Sequence, residues 1–201
     1  MLDRELREIK EQVMVPIAVP MADYATPTAL SLVGLGFGIA TGVAAGMGLY
    51  LPALLLWVIN RVFDGLDGTI ARMTDKQSDL GAYVDILADF AVYAFVPVML
   101  AVGCGDAACY VAALFLLSTF YLNAGSWIYL TALLEKRQHQ ADNMTSVTMP
   151  RSLIEGGETV LFFTLFLLLP GHLVPLFALM GVLVLITVAQ RFIWAVHVLA
   201  D

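Results

Sequence analysis

The chain alternates long apolar stretches with short polar breaks. A transmembrane helix needs about 20 mostly apolar residues, and six stretches come close to or exceed that length. They cover roughly 28–50, 51–73, 81–103, 107–134, 153–170 and 173–198. The largest polar break is the segment 135–151. The pattern therefore predicts an all-α polytopic membrane protein with six transmembrane helices.

The N-terminal segment has a different pattern. Apolar residues recur at three- and four-residue steps over 2–13, with charged residues between them. This spacing is typical of an amphipathic helix lying in the membrane interface, although a solvated helix packed on the protein has the same pattern. The charged start does not resemble a cleavable signal peptide. We therefore divide the chain into a cytoplasmic juxtamembrane segment, 1–27, and a six-helix transmembrane domain, 28–201.

The composition supports lipid as the main solvent and makes nucleic acid an unsuitable partner. Hydrophobic residues make up 60% of the 201 residues and charged residues 13%, whereas a soluble domain carries about 25% charged residues. The net charge is −7, with no basic stripe of the kind that binds nucleic acid.

The positions of lysine and arginine predict the orientation. Seven of the ten lie in the segments 1–20, 74–80 and 135–152, and none lies in the breaks near 48, 105 and 171. Cytoplasmic loops carry the excess of basic residues. We expect an inner-membrane protein with both termini in the cytoplasm.

The two cysteines, Cys104 and Cys109, lie on either side of one short break. Their spacing matches no metal-binding signature. We expect two unpaired thiols, with a disulfide as the alternative if the break faces outward.

Four aspartates lie within the apolar stretches. Asp64 and Asp67 are near the cytoplasmic end of the second, and Asp85 and Asp89 near the start of the third. A charge inside a bilayer is costly and indicates a functional site. The spacings of three and four residues put each pair on one helix face. A short turn joins the two helices, so we expect them to be antiparallel neighbours with all four carboxylates facing one cavity.

Four carboxylates so close together repel one another, and hard divalent cations relieve that repulsion. Two such ions, Mg²⁺ or Mn²⁺, can bridge a diphosphate and stabilise displacement at phosphorus. Gly68 and Ala71 leave room for a nucleotide, and Gly81 allows a close approach. Arg72 provides a permanent cation with the geometry to bind phosphate oxygens.

These residues resemble the signature of the CDP-alcohol phosphotransferase family. The run Asp64-Gly65-Leu66-Asp67-Gly68-Thr69-Ile70-Ala71-Arg72 is followed at fixed spacing by Gly81, Asp85 and Asp89, with no departure at eight positions. The resemblance implies transfer of a phosphatidyl group from a CDP-linked lipid, most often CDP-diacylglycerol, to a small alcohol or a lipid alcohol, with release of CMP. It implies metal binding by Asp64, Asp67 and Asp85, with Asp89 at the second metal or acting as base. It also implies a nucleotide and diphosphate pocket at Gly68, Ala71 and Arg72, and a homodimer.

Asp89 is the best candidate for the catalytic base. An attacking alcohol must lose its proton, and a carboxylate within hydrogen-bond reach can accept it. Asp89 lies deepest from the cytoplasmic end of its helix, so it is well placed to meet an acceptor. The alternative is that Asp89 serves only as a metal ligand.

Arg151, Glu155 and Glu158 precede or open the fifth apolar stretch. They are candidates for contacts to the acceptor. Two structural explanations compete with this one: acidic residues favour a helix N-terminus, and either glutamate can pair with an arginine.

A divalent-cation transporter is the rival interpretation, since intramembrane acids also bind translocated ions. The acids cluster near one end of their helices, and none continues a path across the bilayer. A catalytically inactive family member is a third possibility, against which the intact motif argues.

Overall fold

The computed structural model describes residues 14–140 and 153–200, without the side chains of 138–140. These residues form seven α-helices and no strand. The helices are α1 at 14–21, α2 Pro27–Gly46, α3 Tyr50–Met73, α4 Asp79–Cys104, α5 Ala107–Gln140, α6 Gly156–Leu168 and α7 Leu173–Leu199. The predicted helix at 2–13 and the candidate Arg151 lie outside the described residues. The all-α prediction is confirmed, and each of the six apolar stretches overlaps one of the helices α2 to α7.

Local sequence explains where the first long helices begin and end. Pro27 opens α2, and the preceding Thr26 caps it by accepting a hydrogen bond from the Ala29 backbone at 3.3 Å. Proline suits the first helical turn because that turn leaves its backbone donors unpaired. Gly48 has φ +75 in the short break before α3, a conformation that glycine adopts without steric cost.

Four of the described helices are long and apolar enough to cross a membrane. They are Pro27–Gly46, Asp79–Cys104, the part of α5 over Ala107–Arg137, and Pro170–Leu199 including its leading 3₁₀ turn. The other two predicted spans, α3 and α6, do not meet these conditions, for different reasons. α3 has sufficient length, but it carries Arg61, Asp64, Asp67 and Arg72 among its 24 residues. α6 is apolar but has only 13 residues, which is about 20 Å of helix.

The chain forms two compact units, divided between Cys104 and Gly105. In the first unit α2 packs against both α3 and α4. The backbones of α3 and α4 themselves have little direct contact with each other. A cleft therefore lies between α3 and α4, and α2 holds both helices.

Small residues on α2 allow this packing. Gly38, Gly42 and Gly46 follow one another at four-residue steps and share a face. A Cβ added to Gly38 would lie 2.3 Å from Val92 Cγ2, and one on Gly42 would lie 2.6 Å from the Phe95 ring. The α4 side chains therefore occupy the space that any larger residue on α2 would need.

In the second unit α5 and α6 both pack on α7. Phe163, Phe166 and Phe177 are fully buried, and the rings of Phe166 and Phe177 meet edge to face with centroids 4.7 Å apart. Arg191 is buried in α7 and donates to the side-chain and backbone oxygens of Asn123 at 2.9 and 3.0 Å. Asn123 on α5 thus takes part in an interhelical hydrogen bond to α7.

The expectation of unpaired cysteines is wrong. Cys104 and Cys109 are both disulfide-bonded. Gly105, the residue after Cys104, has φ +69, and a glycine in this conformation permits the chain to turn sharply within the short segment between the two thiols.

Replacing Gly38 with alanine should destabilise the protein. The added methyl group would overlap the buried Val92 side chain, and overpacking of a filled core costs about 1–3 kcal/mol. We expect a lower thermal unfolding midpoint in detergent. Gly36→Ala is the matched control, because a Cβ there meets no atom within 4 Å; an equal loss from both variants would contradict the packing described for α2.

Candidate active site

The structure brings the four aspartates of the motif together at one small cleft. Asp64 and Asp67 from α3 and Asp85 and Asp89 from α4 all line it, and its free volume is about 10 Å³. A space of this size is close to the roughly 10–15 Å³ that one water molecule needs. All four acids lie in the first unit, so one compact part of the chain assembles the cleft.

Asp67 is the most deeply buried of the four, at 4% exposure. Its Oδ2 accepts a hydrogen bond from the Ser31 hydroxyl at 2.5 Å, and its Oδ1 accepts one from the Gly68 backbone at 2.5 Å. Burying a carboxylate is tolerable only with such partners. Ser31 lies on α2, so the helix that organises the unit also orients a carboxylate of the site.

Arg61 connects the two helices that carry the acids. Its Nη2 donates to Asp89 Oδ1 at 3.0 Å, and its Nη1 lies 3.5 Å from Asp64 Oδ2. The same guanidinium donates to the Tyr93 hydroxyl at 3.0 Å and to Asn60 Oδ1 at 2.8 Å. Arg61 therefore forms ion pairs with one acid from each of the two helices.

The donor set fits hard divalent cations, which prefer carboxylate oxygens. In the described part of the chain, no group of three or more His, Cys, Asp or Glu side chains is arranged to hold a metal ion. Asp64 and Asp89 face Arg61, and Asp67 accepts from Ser31. A carboxylate has about four lone-pair sites, so each of these acids can offer an oxygen to an ion beside its present partner.

A larger cavity of about 390 Å³ adjoins the cleft. It is lined by Gly68, Ala71, Arg72 and Gly81, and it shares Asp67 and Asp85 with the cleft. A Cβ on Gly68 would lie only 3.3 Å from the Arg72 guanidinium, so the missing side chain leaves room beside that cation. The volume falls within the range of about 300–1,000 Å³ that is typical of small-ligand sites.

Two polar residues that line the cleft, and one that contacts Arg61, were not identified from sequence. Ser31 and Asn60 are both buried, at 5% and 2% exposure, and Asn60 Nδ2 donates to the Gly34 carbonyl at 2.8 Å. Tyr93 follows Asp89 by four residues and so extends the stripe of Asp85 and Asp89. The four-residue spacing could have indicated from the sequence that Tyr93 lies near Asp89. Ser31 lies 36 residues from Asp67, so no short-range pattern could have indicated their contact.

Two of the proposed acceptor residues, Glu155 and Glu158, lie in the second unit and have a structural role. Glu155 and Glu158 form a capping box at the start of α6. The Glu155 side chain accepts a hydrogen bond from the Glu158 backbone N–H, and Glu158 Oε2 accepts one from the Glu155 backbone N–H at 3.0 Å. This arrangement pairs backbone donors that helix geometry leaves open. The explanation that these acids favour a helix N-terminus therefore holds, whatever else they bind.

Comparison with known proteins identifies the family. The model of the CDP-alcohol phosphatidyltransferase family matches residues 24–200, which is most of the chain and includes both units. The chain belongs to the CDP-alcohol phosphatidyltransferase family. It is thus a membrane transferase of phospholipid biosynthesis that moves a phosphatidyl group from a CDP-linked lipid to an alcohol, and this activity favours the enzyme over the ion-transport interpretation.

Relatives of this phosphatidyltransferase include a curated bacterial protein. The inner membrane protein YnjF of Escherichia coli strain K12 is 34% identical over 200 residues, which cover 97% of this chain and 95% of the relative.

Two solved structures of Mycobacterium tuberculosis phosphatidylinositol phosphate synthase (PgsA1) share the fold. The form with CDP-DAG bound has a TM-score of 0.72 at 21% identity and covers 90% of this chain and 92% of its own. The form with manganese and citrate has a TM-score of 0.71 at 21% identity and covers 88% and 86%.

Substitutions at Glu158 separate its capping role from its charge. Glu158→Ala removes the acceptor for the Glu155 backbone, and loss of a helix cap costs about 0.5–2 kcal/mol, so the unfolding midpoint should fall. Glu158→Gln keeps an oxygen at the same place and should retain the wild-type midpoint. An equal fall in both variants would show that the carboxylate charge, and not the cap, stabilises α6.

Proposed function

We propose that this phosphatidyltransferase takes CDP-diacylglycerol as donor and requires two divalent ions, Mg²⁺ or Mn²⁺. The observation that carries the proposal is that the carboxylate cleft and the larger cavity share Asp67 and Asp85. A donor in the cavity would therefore have its diphosphate beside the proposed metal ligands Asp64, Asp67, Asp85 and Asp89. Another CDP-linked lipid would present the same groups.

The proposed binding of the donor uses the residues of the large cavity. Gly68 and Ala71 leave space for the nucleotide along α3, and Gly81 leaves it along the start of α4. Arg72 binds diphosphate oxygens, for which the planar guanidinium is well suited. When bound, the divalent ions supply positive charge against the same diphosphate.

The proposed transfer is a displacement at phosphorus. The acceptor hydroxyl oxygen forms a bond to the phosphorus that carries diacylglycerol, and the bond from that phosphorus to the bridging oxygen breaks. CMP leaves with the bridging oxygen and its electron pair. The proton of the acceptor hydroxyl passes to Asp89, the catalytic base in this proposal.

For the acceptor we propose a neutral polyol or an amine-bearing alcohol, contacted by Glu155, Glu158 and Arg151. Glu158 is exposed. A carboxylate has about four lone-pair sites, so Glu158 can accept further hydrogen bonds besides the one from the Glu155 backbone. A role in acceptor binding would raise the KM for the acceptor in Glu158→Gln without changing stability.

We further propose that all six helices α2 to α7 cross the inner membrane and that the enzyme is a homodimer. Arg61, Asp64 and Asp67 of α3 would then face α2 and α4, where Asp67 and Arg61 already have hydrogen-bond partners. Both termini and the acid cleft would be on the cytoplasmic side, in keeping with the distribution of lysine and arginine.

Asp89→Asn should reduce CMP release by at least about a hundredfold, the lower range for general acid–base catalysis, because an amide cannot accept the acceptor proton. The measurement is CMP release from CDP-diacylglycerol by the purified enzyme in detergent with Mg²⁺ or Mn²⁺. The acceptor panel would be serine, inositol, inositol phosphate, glycerol phosphate, choline and phosphatidylglycerol.

Asp79→Asn is the matched control for this assay, because Asp79 opens α4 and lines neither the cleft nor the cavity. It should keep wild-type activity, and chelation by EDTA should abolish activity in all variants. Wild-type activity in Asp89→Asn would exclude Asp89 as base and leave it, at most, as a metal ligand.

The proposed orientation predicts a labelling pattern. In a chain with Cys104 and Cys109 changed to serine, Ser78→Cys should react with a membrane-impermeant maleimide only after the cells are permeabilised. His172→Cys, between α6 and α7, should react in intact cells. The reverse pattern would place the active site on the outer side.

A further inference from the structure

The Arg61 guanidinium is held from several sides at once. Trp57, fully buried, places its ring 4.7 Å from the guanidinium carbon, and the Tyr93 ring lies 5.4 Å from it. The Tyr93 hydroxyl and Asn60 Oδ1 accept hydrogen bonds from the same group. These contacts come from α3 and α4 and leave little freedom for a side chain that is normally flexible.

This fixed cation lies within ion-pair distance of two of the four acids of the cleft, Asp64 and Asp89. Asp67 and Asp85 line the large cavity as well as the cleft, whereas Asp64 and Asp89 line only the cleft. The four acids thus fall into one pair beside Arg61 and one pair beside the donor cavity.

We propose that Arg61 is a positioning residue that acts as a resident counter-ion for Asp64 and Asp89. This inference rests on the proposed function, since it concerns the same carboxylates as metal ligands. Arg61 neutralises that pair when no divalent ion is bound, and its positive charge opposes the binding of a divalent ion to those carboxylates. Once the ions are bound, the bond from Nη2 keeps the Asp89 carboxylate directed into the cleft.

Two opposite effects follow from removing the charge of Arg61. Divalent ions should bind more tightly, because like charges near the site repel them. The turnover number should fall, because Asp89 loses the donor that orients it. A residue that only stabilised the fold would lower stability or activity and would give no tighter binding of metal.

The experiment is a titration of the purified enzyme with Mn²⁺ in detergent without donor, followed by electron paramagnetic resonance of the free ion. We expect Arg61→Gln to bind Mn²⁺ about tenfold or more tightly than wild type, equivalent to about 1.4 kcal/mol. Arg61→Met, which keeps an apolar stem against Trp57 and Tyr93, should behave in the same way. With Mn²⁺ saturating, both variants should have a lower kcat than wild type.

Arg61→Lys keeps the charge without the planar fork, so it should keep the Mn²⁺ affinity of wild type and still lose turnover. Arg137→Gln removes one positive charge from a residue that caps α7 through the Val198 and Leu199 carbonyls. This control should leave Mn²⁺ affinity unchanged.

The possible results separate the two proposals. Equal or weaker Mn²⁺ binding in both Arg61→Gln and Arg61→Met, with clear binding by wild type, would overturn the counter-ion role and leave the proposed function intact. A wild type that binds no Mn²⁺, with or without CDP-diacylglycerol, would overturn the metal site itself and the counter-ion role with it.

Discussion

The requirement to place four carboxylates in an apolar helical unit governs the first half of the molecule. Each acid has a large cost of burial unless a charge or a hydrogen bond compensates it. Ser31 and the Gly68 backbone compensate Asp67, and Arg61 compensates Asp64 and Asp89. These partners come from α2, α3 and α4, so the three helices must keep a fixed arrangement for the acids to remain in the unit.

That arrangement explains why α3 and α4 are separated by a cleft and are not packed along their length. A direct seam would bring the two acid pairs into contact and exclude any ligand. Packing both helices on α2 leaves a gap that the long side chain of Arg61 can bridge. The donor cavity opens beside this gap, where Gly68 and Gly81 contribute no side chains to fill it.

Much of the fold and part of the site could be predicted from the sequence because both depend on local spacing. Apolar length located the six helices α2 to α7, and three- and four-residue steps placed Asp64 with Asp67 and Asp85 with Asp89. The contribution of Ser31 depends on how α2 packs on α3, which no short-range pattern encodes. The number of spans was harder to predict, because apolar length alone does not weigh the charges of α3 or the shortness of α6. Cys104 and Cys109 were predicted to be free, because no spacing rule in the sequence indicated that they would be disulfide-bonded.

The glycines of α2 have an evolutionary consequence. Apart from Ser31, this helix contributes no polar side chain to the acid cleft, and the family motif lies entirely on α3 and α4. Yet Gly38, Gly42 and Gly46 are the positions where α4 side chains leave no space for a Cβ. Natural selection for catalysis should therefore also restrict which residues α2 can carry at these positions, although α2 supplies none of the four acids.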